Sequence, residues 1–273
     1  MNFWLIRTPW YKSDYQHSFI NGELDHKFRL PIFSCKVCNN NFYSSHVLPV
    51  TFPTKYSRNK MFSDFCVVEK DEYERIETKI RTELKKVYYN DKLYPGAYFQ
   101  PNEMKIPSNP YFDFLWPYMG CPVVSKRVKR IIEGFNLSNV FFFPVNFEKI
   151  GERKPKGRPP MPDSGEPEDI IDAVKLISKP NMNKNYFEMV IRGASKLPPG
   201  GEPKRICEGC GRKFLDNEKR NIVFHPEMWE GQEIFFLRTT LYIIFTDKIK
   251  MAIENLYPEN ISFRDATNEN SYK

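Results

Sequence analysis

The sequence predicts an α+β fold, with two similar strand–helix–strand units on twisted sheets, stapled across the chain by two distant CxxC knuckles. Three observations carry this reading. A one-faced helical stretch starts near Asp71, a strand–cap–helix–strand pattern occurs twice in register, and each CxxC pair has the local spacing of a metal-binding turn.

In the helical stretch, Tyr73, Ile76, Ile80, Leu84 and Val87 recur every three or four residues and so fall on one face. Asp71 is expected as its N-cap with Glu74 three residues on, and the helix should end near Tyr89, before Asn90 and the Pro95-Gly96 turn.

The repeat follows. Val123-Val124-Ser125 leads into a helix with Val128, Ile131, Ile132 and Phe135 inward, then the strand Val140-Phe141-Phe142. Shifted by 121 positions without a gap, Ile244-Phe245-Thr246 leads into Ile249, Ala252, Ile253 and Leu256, then Ile261-Ser262-Phe263. Ser125 and Thr246 share the N-cap position, where a hydroxyl satisfies a free amide, and Asn139 and Asn260 each precede a closing strand. Two such patterns in register predict paired packing units.

The chain then divides into five segments. Residues 1–50 hold an N-terminal strand (Asn2 to Ile6) and the first knuckle, and 51–150 the first α+β unit. Residues 151–205 hold a Pro-rich loop and a connecting strand (Tyr186 to Arg192), 206–266 the second knuckle and second α+β unit, and 267–273 a polar tail expected to fray. Within the loop, Gly151 to Asp169 carries five prolines, which marks exposed, turn-rich backbone.

Composition sets the class. Hydrophobic residues make up 41% and charged residues 27% of 273, as in globular rather than disordered chains. Aromatic residues reach 15%, so the core should be built on rings. The formal charge of +7 mildly favours acidic partners. Basic residues gather at Lys126, Arg127, Lys129 and Arg130 and at Arg153, Lys154, Lys156 and Arg158, but no base-stacking motif accompanies them, and solvated surfaces account for both. The start lacks a secretion signal, and the longest apolar run, Ile234 to Phe245, is too short to span a bilayer and contains Arg238. A cytoplasmic protein without membrane segments is expected.

In a reducing compartment the CxxC pairs point to metal before disulfide. Cys35 and Cys38 lie in Leu30-Pro-Ile-Phe-Ser-Cys-Lys-Val-Cys-Asn-Asn-Asn-Phe42, and Cys207 and Cys210 in Ile206-Cys-Glu-Gly-Cys-Gly-Arg-Lys-Phe214. Each pair has a Phe four residues after its second cysteine. Two intervening residues let the chain turn so that both sulfurs reach one ion, and Gly211 and Asn39 follow where a left-handed residue is often needed. Together Cys35, Cys38, Cys207 and Cys210 make the closed four-thiolate shell of one structural zinc, across 168 intervening residues. Two redox pairs or two disulfides are the alternatives; a thioredoxin-like pair would open a helix, which neither flank resembles. Cys66 and Cys121 read as buried core thiols.

His225-Pro226-Glu227 is similar to part of the zinc deaminase signature, but in reversed order and with a second CxxC competing for the metal. His17, His26 and His46 form no ligand spacing, and no phosphate-binding glycine loop, nucleophile elbow or catalytic constellation is present. An enzyme is not expected.

These segments resemble the double-CXXCG motif family, a bacterial group of predicted immunity proteins, over most of the chain. The resemblance is carried by the opening Met1-Asn-Phe-Trp-Leu-Ile-Arg7, by Leu30 to Cys38, by Cys207-Glu-Gly-Cys210-Gly211, by Pro95-Gly-Ala-Tyr-Phe99 and by the closing segment from Ile244 to Phe263. Asn39 stands where the family's first motif has Gly. The resemblance implies a protein that binds a cognate toxin and protects its own cell, with no toxin-contact residues to carry over. A zinc-ribbon nucleic-acid-binding protein is the alternative. Inhibitors of basic nucleases tend to be acidic, and Glu69 to Glu83 is one acidic-rich stretch that could serve such mimicry, although a solvated helix face accounts for it as well.

Overall fold

The structure, a computed structural model, describes residues 1–9, 21–42, 46–84, 93–106, 112–118, 120–147, 185–198, 201–214 and 223–272. The fold is mixed α and β, with three α-helices and several small sheets among these residues. In chain order the strands are β1 (Phe3–Arg7), β2 (Glu23–Arg29), β3 (Ile32–Ser34), β4 (Asn41–Phe42), β5 (Val47–Thr51) and β6 (Val67–Val68). After helix α1 (Lys70–Leu84) come β7 (Tyr98–Lys105), β8 (Phe114–Tyr118) and β9 (Cys121–Ser125). Helix α2 (Lys126–Glu133) precedes β10 (Val140–Pro144), β11 (Tyr186–Ile191), β12 (Arg205–Ile206), β13 (Lys213–Phe214), β14 (Ile234–Phe236) and β15 (Ile243–Thr246). Helix α3 (Asp247–Glu254) and β16 (Ser262–Asp265) close the series. The chain divides into two compact units, neither of them one continuous stretch: residues 1–25, 103–198 and 221–273, and residues 26–102 and 199–220.

The unit formed by 26–102 and 199–220 carries the cysteine pairs. Its core is aromatic: Phe28 stacks on Phe52 at 4.6 Å, and Phe52 meets Phe62 at 5.0 Å and Phe99 at 5.1 Å. Helix α1 buries Tyr73, Ile76, Ile80 and Leu84 on this core, as their spacing requires, while Val87 and Tyr89 lie outside the described residues. The helix begins at Lys70, ahead of the expected cap. Asp71 is therefore not the N-cap but sits with Glu72 in the first turn, where a carboxylate favours the positive end of the helix dipole. Strand β2, in a stretch the sequence marks only as polar, alternates Leu24, His26 and Phe28 inward against charged outward residues.

The other unit contains both four-stranded sheets. Their orders are β10–β11–β9–β8 and β16–β1–β15–β14, antiparallel throughout. Their registers correspond residue for residue. Tyr186 stands opposite Ser125 as Phe3 stands opposite Thr246, and Phe142 opposite Met189 as Phe263 stands opposite Ile6. Strand β11 thus does in one sheet what β1 does in the other, although β11 follows its helix and β1 precedes its own by most of the chain. One core holds both helices: Val128 and Ile132 from α2 with Ile249 and Ile253 from α3, beneath Val124 and Phe245. Other clusters cover the far faces, around Val123 and Tyr186 for one sheet and Ile244 and Phe3 for the other.

Polar details repeat as well. Lys129 pairs with Glu133 and lies 4.8 Å from the Phe187 ring, and Lys250 pairs with Glu254 and lies 4.3 Å from the Trp4 ring. Asn139 donates to Ile234 O and Asn260 to Phe114 O, both at 2.7 Å, so each repeat's asparagine holds an edge strand of the other sheet. The caps differ. Both hydroxyls donate to an upstream carboxylate, Ser125 to Asp113 and Thr246 to Glu233, but only Ser125 also accepts from its helix, from Val128 N at 3.5 Å. The tail does not fray as far as residue 272. Tyr272 packs its ring on Tyr242 at 5.4 Å and donates to Ala266 O at 2.7 Å.

Candidate metal centre

Each cysteine pair occupies the turn of a short hairpin, β3–β4 for Cys35 and Cys38 and β12–β13 for Cys207 and Cys210. The two turns have the same backbone bonding. Asn39 N donates to Cys35 O and Gly211 N to Cys207 O, both at 2.8 Å; Cys35 N donates to Asn40 O at 3.0 Å and Cys207 N to Arg212 O at 2.9 Å. Closing such a turn requires positive φ at the residue after the second cysteine, and Asn39 (52°) and Gly211 (71°) supply it. Asn39 therefore holds the left-handed conformation that Gly211 holds in the other turn.

The chain brings these turns face to face. The Sγ atoms of Cys35 and Cys207 are 3.7 Å apart, those of Cys38 and Cys210 are 3.8 Å apart, and all four lie within 4.8 Å of one another. Four sulfurs about 2.3 Å from a common centre would have tetrahedral edges of about 3.8 Å. All four cysteines are free thiols, so the disulfide alternative is not what the geometry presents. Neither pair opens a helix, as a thioredoxin-type pair would. The four residues could hold one metal ion, and the cluster contains no histidine. Cys35 and Cys207 are buried in the aromatic core of their unit, and Cys38 and Cys210 are half-buried at its edge.

Backbone amides tune the sulfurs. Hydrogen bonding from the Cys38 amide, with a smaller part from Val37, brings the Cys35 thiol down to about 6 against the opposing effect of burial. The Cys207 thiol is lowered in the same way, chiefly by the Cys210 amide. Burial instead drives Cys210 up to about 12, and its sulfur neighbours push the same way. Sulfurs this close repel one another as thiolates, so complete ionisation calls for a cation among them.

Contacts that sequence reasoning missed lock the second turn in place. Lys70 Nζ donates to Gly209 O at 2.7 Å, and Lys36 pairs with Glu69 at 2.9 Å, which ties both turns to the start of α1. Gly209 is there because of crowding: a Cβ would stand 2.6 Å from Val37 Cγ2 and 3.0 Å from Cys35 Sγ. The spacing rule for a CxxC turn names only the cysteines and the residue after them, so it gave no sign of Gly209.

The other candidates stand elsewhere. Cys121 is buried, its thiol raised by burial, and donates to the buried Glu188 at 3.3 Å; Cys66 is only half-buried, not the core thiol expected. His26 is buried with its ring 5.3 Å from Tyr98, and His225 borders the short 3-10 turn Pro226–Met228. His17 and the basic group Arg153, Lys154, Lys156 and Arg158 lie outside the described residues. In the other basic group, Arg127 is bound to Asp113 and Lys129 to Glu133, which neutralises half of it. In the acidic stretch, Glu69, Glu72, Glu74, Glu77 and Glu83 pair with Lys36, Arg75, Lys70, Arg81 and Lys55. No helix among the described residues is long and apolar enough to cross a membrane. No protein-family model matches the chain, and no curated protein is similar to it at a significant level.

Proposed function

We propose that the chain is an immunity protein: it binds a cognate bacterial toxin, and one structural zinc held by Cys35, Cys38, Cys207 and Cys210 ties its two knuckles together. The observation that carries the reading is the meeting of both CxxC motifs in one four-sulfur cluster, with matching backbone bonds in both turns. Those motifs are also what make the chain resemble the double-CXXCG group. Soft thiolates in a closed tetrahedral set favour zinc, with no open position for a reacting water. The metal's part is then structural, and toxin neutralisation is occupancy by a rigid surface. The finer architecture belongs to the same reading: two equivalent strand–helix–strand units, and a zinc ribbon formed by the two knuckles. Phosphate mimicry by the Glu69 to Glu83 stretch finds no support, because five of its carboxylates already face cations.

Two measurements test the proposal. Purified protein should carry one zinc per chain, and Cys207→Ser should lose it with a lowered melting temperature, since metal binding contributes folding energy directly. Metal-free wild type with an unchanged melting profile would refute the zinc. Co-expression with the neighbouring toxin gene should rescue growth through a one-to-one complex of nanomolar affinity, about −12 kcal/mol. Protection at substoichiometric amounts would indicate an enzyme instead. Affinity for DNA or RNA that falls steeply with salt, with the toxin ignored, would indicate the nucleic-acid alternative.

A further inference from the structure

Exposed apolar side chains concentrate beside the metal centre. Among the described residues eight large hydrophobic side chains are strongly exposed, and four of them, Val37, Phe65, Val67 and Ile206, belong to the knuckles or to the strand paired with the first knuckle and the residues leading into it. Val37 is 65% and Ile206 54% exposed. The Lys36–Glu69 pair and the Lys70–Gly209 bond hold these segments together, and Val37 packs directly against Gly209. Around them stand cations without carboxylate partners among the described residues. Arg29 lies over Phe65 at 4.6 Å, Arg205 and Arg212 lie over Phe214 at 4.5 Å and 5.6 Å, and Lys213 is paired across the hairpin with Ile206. On α1, by contrast, Lys70, Arg75 and Arg81 each face a glutamate of the same helix.

The cations also offset the negative charge of a four-thiolate site, but that leaves the exposed Val37, Val67 and Ile206 unexplained. Nucleic acid fits the patch poorly. Aliphatic side chains offer no face for stacking, and the Phe65 and Phe214 rings already carry the protein's own guanidinium groups. An apolar centre with a charged rim is the layout of a protein–protein interface. We infer that this knuckle face is where the toxin docks, and that the toxin meets it with an apolar centre rimmed by carboxylates. The inference rests on the immunity reading and adds the location and chemistry of the contact.

The test is calorimetric titration of the purified product of the neighbouring toxin gene into wild type, Ile206→Asp, Val67→Asp and Arg205→Glu, with zinc content and melting temperature measured on each. Val67 lies outside both knuckles, which keeps the test sound if Ile206→Asp fails to fold. Both aspartate variants should retain zinc and lose at least about 30-fold in affinity, the scale of a central anchor. Arg205→Glu should weaken binding about 10-fold and flatten its salt dependence, as loss of a rim charge does. Zinc-loaded variants that bind within about threefold of wild type would overturn this location and leave the immunity reading standing, since few interface positions outside an anchor cost more than that. Wild type that ignores the toxin would overturn both, as would tight nucleic-acid binding that these variants abolish.

Discussion

Replacing Gly209 by Ala should loosen the metal centre more than its small size implies. The added Cβ would meet Val37 Cγ2 at 2.6 Å, Val37 Cβ at 2.9 Å and Cys35 Sγ at 3.0 Å. Carbon atoms pack at about 3.5–4.0 Å, so the overlap with Val37 is close to 1 Å. A rotamer change moves Val37 Cγ2 but not its Cβ, and moving Cys35 Sγ spoils the four-sulfur set. Overpacking of this kind costs about 1–3 kcal/mol. If that strain falls on the bound state, metal affinity drops by about 5- to 150-fold at about 1.4 kcal/mol per decade. Competition against a chromogenic zinc chelator reads the affinity directly. Val37→Ala in the same chain removes Cγ2 and should restore part of the loss, giving a coupling that a double-mutant cycle resolves. Gly211→Ala separates space from backbone: an added Cβ would have nothing within 4 Å, but the φ of 71° is strained for alanine. That variant should cost about 1–2 kcal/mol, and Val37→Ala should not relieve it. Gly209→Ala with wild-type zinc affinity would refute the crowding argument.

Other substitutions test the unit with two four-stranded sheets. Ile132→Ala and Ile253→Ala remove side chains that are 1% and 0% exposed, and each should lower stability by about 2–5 kcal/mol in denaturant titration; a near-neutral result would mean the helix is not packed as described. Asn260→Ala strips buried bonds to Phe114 O and Asn21 and should cost about 1–3 kcal/mol, more than the half-buried Asn139→Ala. Equal costs, measured by the same titration, would count against the unequal burial of the two links.

The cysteine cluster was legible because its code is local: two residues between cysteines and a left-handed residue after them fix each turn wherever it sits. The turns' meeting was a matter of counting ligands. The repeat was legible from β9 to β10 and from β15 to β16 because one offset of 121 relates them. Strands β1 and β11 were both expected, but their equivalent place in the two sheets escaped, since Phe3 corresponds to Tyr186 and not to a residue 121 positions away. Strand β7 went unread because the polar Gln100 and Asn102 and the intervening Pro101 interrupt its apolar pattern; yet Gln100 and Asn102 are buried. Thr246 shows that the residue type at a cap position does not guarantee the bond: its hydroxyl donates to a carboxylate 13 residues upstream, and no helix amide donates to it. The tail looked polar because its anchors, Ser271 and Tyr272, are themselves polar.

The place of β1 between β15 and β16 has a consequence for biosynthesis. The sheet of β8 to β11 can form once residue 191 has left the ribosome. Strand β1 precedes both of its partners and so waits, both edges unpaired, until Ile243 to Asp265 follow. The first knuckle waits as well, for Cys207. Unpaired edges and free thiolates invite wrong partners during that interval. A ribosome stalled before residue 207 would therefore hold a nascent chain with one sheet formed, one strand orphaned and half of the four-cysteine cluster, leaving β1 and the first cysteine pair open to wrong partners until residues 207–265 followed.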